Sequence, residues 1–256
     1  MNTLKACVYR KIIPAIGSAF ISRNKFINTI YYHDVVKGHG NSFMCINEDT
    51  FKNQMLYLIK CGYQTKNFVD LSTPENCKWE KKTLLITFDD GWISNYTMIY
   101  DFMKSHGLKY NIFLEVGKIG VDDNYLNWGQ IKEMFLSGIV GFGAHTYSHS
   151  NMSDFKTINV EKEIYQANSV MQRELGFAPK DFCFPYGAYS PETLQEIIGL
   201  NVYDRIYTSD LRYSYAQNGT IIFGRNAISN DESFDIFQNK VRSRYNVLSL
   251  LKNILR

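Results

Sequence analysis

The chain has 256 residues, 45% of them hydrophobic, which is enough to form a substantial buried core. Its 28 lysines and arginines nearly balance its 25 aspartates and glutamates, and a formal charge of only +3 gives no case for a nucleic-acid partner. No low-complexity tract, linker or fixed-period repeat interrupts the sequence, so we expect one folded domain. The five cysteines are scattered and form no Cys-x-x-Cys pair, which favours a reducing compartment.

The N-terminal segment is basic and amphipathic. The first 33 residues contain five lysines and arginines and no acidic residue, and apolar residues recur every four positions, at Leu4, Val8, Ile12, Ile16 and Phe20. We predict an amphipathic segment at 1–27, followed by the main domain at 28–256. Such a helix can lie on an anionic membrane surface, although Pro14 interrupts the pattern. The equally weighted alternative is a helix that packs on the end of the domain with its lysines in water.

A secretory signal is only weakly indicated. The apolar stretch before the marginal cleavage sequence is about ten residues long, and no other segment approaches the ~20 apolar residues of a membrane span. Together with the cysteine usage, these features predict a cytoplasmic protein that contacts the membrane peripherally, with an exported form as the alternative. The oligomeric state is left open.

Strand-like and helix-like segments alternate through the rest of the chain. The predicted strands are 28–32, 83–88, 110–116, 140–142 and 182–184, and the predicted helices are 48–60, 95–105, 130–136, 160–175 and one that begins after Ser190. This alternation predicts parallel β/α units. In a barrel of such units, catalytic groups lie at the C-terminal ends of the strands.

Two short motifs supply the residues of a mononuclear metal hydrolase. Asp89 and Asp90 follow strand 83–88 and precede Gly91. Adjacent residues on an extended chain point to opposite sides, so one carboxylate can bind a metal while the other stays free as a base. His145 and His149 are four residues apart and can converge on one ion. Two histidines and one carboxylate, with positions left for water and substrate, are common ligands of catalytic metals.

A third motif completes a family pattern. The apolar run 182–184 ends in Pro185-Tyr186-Gly187, just before the predicted helix start. With the three motifs in this order, the chain resembles the polysaccharide deacetylases that share the NodB homology domain (carbohydrate esterase family 4), over about residues 29–241. The resemblance implies an α/β fold of a single domain, with an irregular, incomplete (β/α)7 barrel.

The resemblance also implies the roles of the motif residues. Asp89 corresponds to the general base of the family. Asp90, His145 and His149 correspond to the ligands of one divalent metal ion. We expect Zn²⁺, with Co²⁺, Ni²⁺ or Mn²⁺ as alternatives.

The third motif departs from the family pattern at one position. Pro185 and Tyr186 align with the family motif, and the backbone N–H of Tyr186 would stabilise the oxyanion. In the family motif an arginine pairs with the catalytic base, but this chain has Cys183 at that position. One branch of the family also has a small residue there. Asp89 therefore needs another partner to favour its charged form. Arg225 is the first candidate for this partner.

The general acid also occupies a different position in the sequence from the usual family pattern. Family members usually carry a catalytic histidine near the C-terminus, but this chain has no histidine after His149. The segment Tyr32-His33-Asp34-Val35 resembles the N-terminal Y-H-x-V segment of the poly-N-acetylglucosamine deacetylase branch, in which this histidine acts as the acid. We therefore assign that role to His33, with Asp34 as a neighbour that would keep the imidazole protonated. In isolation, such a histidine would more commonly be satisfied by Asp34 or by backbone.

We predict a metal-dependent carbohydrate N-deacetylase that removes acetyl groups from N-acetylated amino sugars in a polysaccharide or glycan precursor. Trp128 resembles a tryptophan that precedes a helix in many relatives, and it is either a wall that stacks on sugar or a core anchor. His39, in a loop, and His106, at a helix end, carry no predicted chemistry.

Three other functions are weighed against this one. The first is a hydrolase of another C–N amide bond, and the second is a non-catalytic carbohydrate-binding protein on the same fold. The third is an Fe(II) oxygenase, whose site has no role for the second carboxylate.

Overall fold

The computed structural model describes residues 7–38, 40, 42–154 and 156–248. Most of the strands form one curved, largely parallel sheet, and a separate two-stranded sheet joins β2 to β3. The strands are β1 (Asn28–Tyr32), β2 (Asp34–Val36), β3 (Cys45–Asn47), β4 (Gln64–Lys66), β5 (Thr83–Phe88), β6 (Tyr110–Leu114), β7 (Val140–Ala144), β8 (Asp181–Cys183), β9 (Arg205–Tyr207), β10 (Tyr215–Gln217), β11 (Thr220–Phe223) and β12 (Asn226–Ala227).

One short stretch of chain closes this sheet into a barrel. The strands run in the order β1, β5, β6, β7, β8, β9 and β11, each parallel to its neighbour. After β11, the chain passes through Gly224 and Arg225 into β12, which pairs with β1 on the other side. The segment 220–227 therefore contacts both ends of the sheet. The predicted α/β fold, an irregular (β/α)7 barrel, is confirmed.

The helices pack outside the sheet, and several begin with the caps that their sequences predict. Asn47 accepts hydrogen bonds from the backbone N–H groups of Asp49 and Thr50 at the start of α2, and Ser190 caps α7. Gly176 ends α6 in the left-handed conformation. The helices are α1 (Ile13–Ala19), α2 (Glu48–Lys60), α3 (Ser94–Thr97), α4 (Tyr100–Ser105), α5 (Trp128–Leu136), α6 (Val160–Leu175), α7 (Pro191–Gly199) and α8 (Phe234–Val241).

The structure corrects two predicted elements. The helix expected at 95–105 is broken into α3 and α4, because Met98 and Ile99 interrupt it. The strand expected at 110–116 ends at Leu114, where the backbone turns towards the Asp90 loop and the Glu115 N–H donates to the Asp90 carbonyl. His106 ends α4 as expected, whereas His39 lies outside the described residues.

The N-terminal segment packs against the C-terminal part of the chain. The Tyr9 and Tyr245 rings stack with centroids 4.7 Å apart. A Cβ at Gly17 would lie 1.9 Å from the Arg244 carbonyl oxygen, so α1 approaches this segment closely. Pro14 lies in the first turn of α1, where its missing N–H is tolerated. This packing matches the second alternative for the amphipathic segment, although Leu4 lies outside the described residues.

Contact between this segment and a membrane, and a domain boundary at residue 27, stay predictions. Within the described part of the chain, no helix combines the length and the apolar character that spanning a bilayer requires. Ile12 and Ile21 are exposed on the segment, while Ile13 is buried.

The inner face of the barrel leads directly to the site. Leu84 and Ile86 pack in the large core that includes the helices, whereas Leu85 belongs to a smaller cluster within the barrel. Successive strand residues alternate between the two faces, so Thr87 and then Asp89 continue the inner row. The C-terminal end of β5 therefore delivers one carboxylate into the barrel and the next one away from it.

Candidate active site

The predicted site residues meet at one end of the barrel. Asp89 and Asp90 follow β5, and His145 follows β7. His33 follows β1, and Cys183 is the last residue of β8. Because these strands are parallel, their C-terminal ends lie at the same edge of the sheet. This is the end at which β/α barrels carry their catalytic groups.

Three side chains converge as a metal centre would require. Donor atoms of Asp90, His145 and His149 all lie within 4.8 Å of one another. Asp90 Oδ1 lies 3.5 Å from His145 Nε2 and 3.2 Å from His149 Nε2. This oxygen is buried and has no hydrogen-bond partner of good geometry among the described residues. A buried carboxylate oxygen without a partner, facing two imidazole nitrogens, fits a divalent cation between the three.

The histidines are oriented for this role. The Nδ1–H of His145 donates to the Cys183 carbonyl at 2.8 Å, which leaves Nε2 with its lone pair directed at the centre. Burial lowers the pKa of His145 to about 4, so its imidazole is neutral and able to bind a metal. Burial alone would raise the pKa of Asp90, but the neighbouring imidazoles outweigh it and lower the pKa.

The backbone of the site is held in an uncommon conformation. Asp90, Thr146, His149 and Tyr186 have φ values of 75°, 63°, 55° and 59°. Non-glycine residues rarely adopt positive φ, and they do so where surrounding structure over-determines the backbone. These turns let consecutive residues at the strand ends present their side chains towards one centre.

The other carboxylate is held by an arginine from the closing segment. Arg225 is fully buried, and its Nη1 and Nη2 lie 2.7 Å and 2.8 Å from the two oxygens of Asp89. Its Nε donates to the Thr208 carbonyl, and its guanidinium lies 4.2 Å from the Tyr31 ring centroid. Burial alone would raise the pKa of Asp89, but the Arg225 charge outweighs it and lowers the pKa. Asp89 is therefore charged at neutral pH.

Cys183 leaves space for this arginine. Its Sγ lies 2.9 Å from Arg225 Nη2 and 3.9 Å from Asp89 Oδ2. Burial raises the pKa of the Cys183 thiol, so the thiol stays neutral and does not compete with Asp89 for the guanidinium. A longer side chain at position 183 would occupy the space that the guanidinium fills.

His33 follows β1 at the same end of the barrel as the two carboxylates, but it does not make the expected hydrogen bond with Asp34. After the larger effects of burial, Arg225 and the two other imidazoles, a charge on His33 makes a further contribution to the lowered pKa of Asp89 and Asp90. Its buried Nδ1 has no hydrogen-bond partner among the described residues. The expectation that Asp34 would hold the imidazole is wrong, because Asp34 Oδ1 instead accepts from the Ser94 hydroxyl at 2.6 Å.

The remaining predicted residues divide between the rim of the site and the helical layer. Tyr186 is 69% exposed, and its ring centroid lies 4.3 Å from that of His149. Pro185 is buried and begins the short 3₁₀ turn that carries Tyr186. Trp128 is half-buried in the first turn of α5, with Cδ1 3.5 Å from where a Cβ at Gly120 would lie. Its indole packs against the outer core, which is the anchor role.

One site residue escaped the sequence analysis. The indole N–H of Trp92 donates to Asp90 Oδ2 at 3.0 Å. The only sequence signal was the position of Trp92 directly after Asp89-Asp90-Gly91. Its contact with Asp90 depends on the positive φ of Asp90 and Gly91, 75° and 87°, which turns the chain back on itself.

Comparisons with known proteins point to one family. The family model described as polysaccharide deacetylase matches residues 77–203. A putative polysaccharide deacetylase, YxkH of Bacillus subtilis, is 28% identical over 168 residues, which cover 65% of this chain and 58% of that protein. A peptidoglycan-N-acetylglucosamine deacetylase of Bacillus cereus is 29% identical over 110 residues, which cover 43% and 38%. The chain thus spans less than two thirds of the length of these relatives.

Solved structures share the fold. The Streptococcus pyogenes deacetylase PplD, in complex with acetate, superposes with a TM-score of 0.72 at 22% identity, over 88% of this chain and 98% of that one. IcaB from Ammonifex degensii superposes with a TM-score of 0.67 at 22% identity, over 87% and 97%. At this level of identity the likeness establishes the barrel architecture.

Proposed function

Because this chain belongs to the polysaccharide deacetylase family, we propose that it hydrolyses the acetamide of an N-acetylated amino sugar in a polysaccharide or glycan precursor. One observation carries the proposal. A buried carboxylate kept charged by a bidentate arginine, Asp89, lies directly beside three side chains whose donor atoms converge on one point. A base and a metal centre in contact are the two parts that metal-assisted amide hydrolysis needs.

The metal site is assigned to Asp90, His145 and His149. A divalent ion held there, with Zn²⁺ as the first choice, would polarise the acetyl carbonyl and acidify a bound water. The choice of Zn²⁺ rests on the chemistry of the donor atoms alone. Two imidazoles and one carboxylate also suit Co²⁺, Ni²⁺ and Mn²⁺.

Asp89 is the general base in this mechanism. It accepts a proton from the attacking water as the new C–O bond forms at the acetyl carbon. Each carboxylate oxygen accepts one Arg225 N–H and retains a further lone pair for that proton. Because Arg225 lowers the pKa of Asp89, the base is in its charged form across neutral pH.

His33 is the general acid. An amine leaves the tetrahedral intermediate only when its nitrogen is protonated, and His33 supplies that proton as the C–N bond breaks. Its buried Nδ1, which has no hydrogen-bond partner among the described residues, and its position after β1, at the barrel end that carries Asp89, support this role. This assignment agrees with the absence of any histidine after His149 in this sequence. It is the basis on which we propose the branch with an N-terminal catalytic histidine.

The oxyanion and the sugar are assigned to the third motif. The Tyr186 backbone N–H would donate to the developing negative charge, and such a donor is worth roughly 3 kcal/mol in acyl transfer. The exposed Tyr186 ring beside His149 offers a face for a sugar. The products are acetate and the free amino sugar.

The test is acetate release from a panel of N-acetylated glycans, measured with metal removed by chelation and then restored. The control is Asp89→Asn, which is nearly isosteric and cannot take a proton. We expect release by the wild-type protein that disappears with chelation, returns with metal and is nearly absent in the control. Glycan binding without acetate release across the panel would favour the carbohydrate-binding alternative, and release from a non-sugar amide alone would favour the other hydrolase.

A further inference from the structure

The two oxygens of the Asp90 carboxylate have different partners. Oδ2 accepts the indole N–H of Trp92 at 3.0 Å. Oδ1 faces the Nε2 atoms of His145 and His149 at 3.5 Å and 3.2 Å, and has no hydrogen-bond partner of good geometry among the described residues. The two carboxylate oxygens therefore have different surroundings. One accepts a hydrogen bond from the indole, and the other faces the two imidazoles.

The indole that makes this contact is itself fixed. Trp92 stacks on Tyr125 with ring centroids 4.7 Å apart and planes at 25°. The backbone on either side of Trp92 is also hydrogen-bonded to the loop that carries Tyr125. The Ile93 N–H donates to the Asn124 carbonyl at 2.8 Å, and the Gly91 carbonyl accepts the Leu126 N–H at 2.9 Å.

The Tyr125 ring is fixed in turn. Its hydroxyl donates to Glu115 Oε2 at 3.3 Å, and Glu115 is a buried carboxylate that the catalytic mechanism does not use. Burial raises the pKa of both Glu115 and Tyr125. The contacts from Asp90 through Trp92 and Tyr125 to Glu115 form one continuous support on the outer side of the metal centre.

We propose that Trp92 is a positioning residue that makes Asp90 a one-oxygen metal ligand. A carboxylate free to rotate can bind an ion with one oxygen or with both. The hydrogen bond from the indole occupies Oδ2 and leaves Oδ1 facing the two imidazoles, where it would bind an ion. A bound ion would then keep open, for water and for the acetyl oxygen of the substrate, the positions that a second carboxylate oxygen would take.

This inference rests on the proposed metal site, and metal affinity tests it without reference to turnover. Trp92→Phe retains a ring that can stack on Tyr125 but removes the N–H donor. The matched control is Trp79→Phe, because Trp79 precedes β5 and lies at the opposite end of the barrel. Metal dissociation constants are measured by competition with a chromogenic chelator for Zn²⁺ and Co²⁺, and the visible spectrum of the Co²⁺ protein reports its coordination.

We expect Trp92→Phe to weaken metal binding by roughly 10- to 100-fold, as is typical for the partner of a metal ligand, and to change the Co²⁺ spectrum. Trp79→Phe should match the wild type in both. If Trp92→Phe does not fold, replacing Trp92 by 3-benzothienylalanine preserves the bicyclic shape and still removes the donor. A dissociation constant within twofold of the wild type and an unchanged spectrum would overturn the role of Trp92 alone. A wild-type protein without stoichiometric metal would overturn the metal site itself.

Discussion

The charged state of Asp89 depends on the buried Arg225, and Arg225→Met tests this dependence. Methionine fills much of the same volume without charge or donors. The substitution removes both contacts to Asp89, at 2.7 Å and 2.8 Å, and leaves a buried carboxylate without a cation. Breaking a buried ion pair in this way costs roughly 3–5 kcal/mol of folding stability, since the remaining charge is uncompensated.

The variant should also reverse the pH dependence that Asp89 contributes to stability. In the wild type, the pKa of folded Asp89 is lowered, so its contribution is present above the unfolded pKa and is lost as the pH falls through the folded value. Without Arg225, burial is left as the dominant influence and raises the pKa. The folded form then favours neutral Asp89, so this contribution becomes less favourable as the pH rises above the unfolded pKa.

Two measurements follow these effects. Urea unfolding of metal-free protein at several pH values gives the stability difference, and the acidic limb of kcat/KM against pH gives the ionisation of the base. We expect that limb to move to higher pH in Arg225→Met, with at least roughly a 10²-fold loss at neutral pH, as for the loss of a general base. Arg225→Lys should recover the charge but not the two-point contact.

An unchanged acidic limb in a folded Arg225→Met variant would refute the assignment of Arg225 as the partner that keeps Asp89 charged. A second variant tests the same reasoning by gain of function. Combining Cys183→Arg with Arg225→Ala returns the cation to the position that it has in the family motif. This double variant should recover activity relative to Arg225→Ala alone, and a failure to recover in a folded protein would mean that the barrel accepts the cation from one side only.

The remaining roles are tested by smaller changes. The double variant His145→Ala, His149→Ala should lose stoichiometric metal, measured by atomic emission after dialysis, and tight metal retained by it would contradict the ligand set. Asp89→Asn should keep the metal while turnover is nearly abolished, and metal loss in that variant would contradict its role as base. His33→Ala should keep the metal and lose roughly 10²–10⁴ in rate on acetylated amino sugars, with a smaller loss on an activated ester, because a better leaving group needs less help from an acid. Equal losses on both substrates would argue against an acid role.

The architecture was accessible from sequence because local patterns and topology agree. The alternation of strands and helices predicts parallel units, and the motifs that follow the strands must then meet at one edge. The helix 48–60 was predicted with both ends correct, since Asn47 caps its start and Gly62 follows its end. Residues that cap or stop a helix in this way mark the ends of the element clearly in the sequence.

The rest was not accessible because it depends on contacts between distant segments. β11 and β12 have four and two residues, too few to show a period, yet they close the barrel. The contact between Trp92 and Asp90 depends on a loop about thirty residues further along, where Tyr125 supports the indole. The orientation of Asp34 towards Ser94 rather than His33 is likewise a tertiary choice.

The segment 220–227 makes the charge of Asp89 depend on complete folding of the barrel. This segment joins the two ends of the sheet, and Arg225 lies between its two strands, β11 and β12. Any state in which the segment has detached withdraws the guanidinium from Asp89. The carboxylate would then be drawn towards its neutral form. We therefore expect partially assembled chains to lack the charged base, and deuterium uptake in this one segment should track the fraction of molecules that are competent to react.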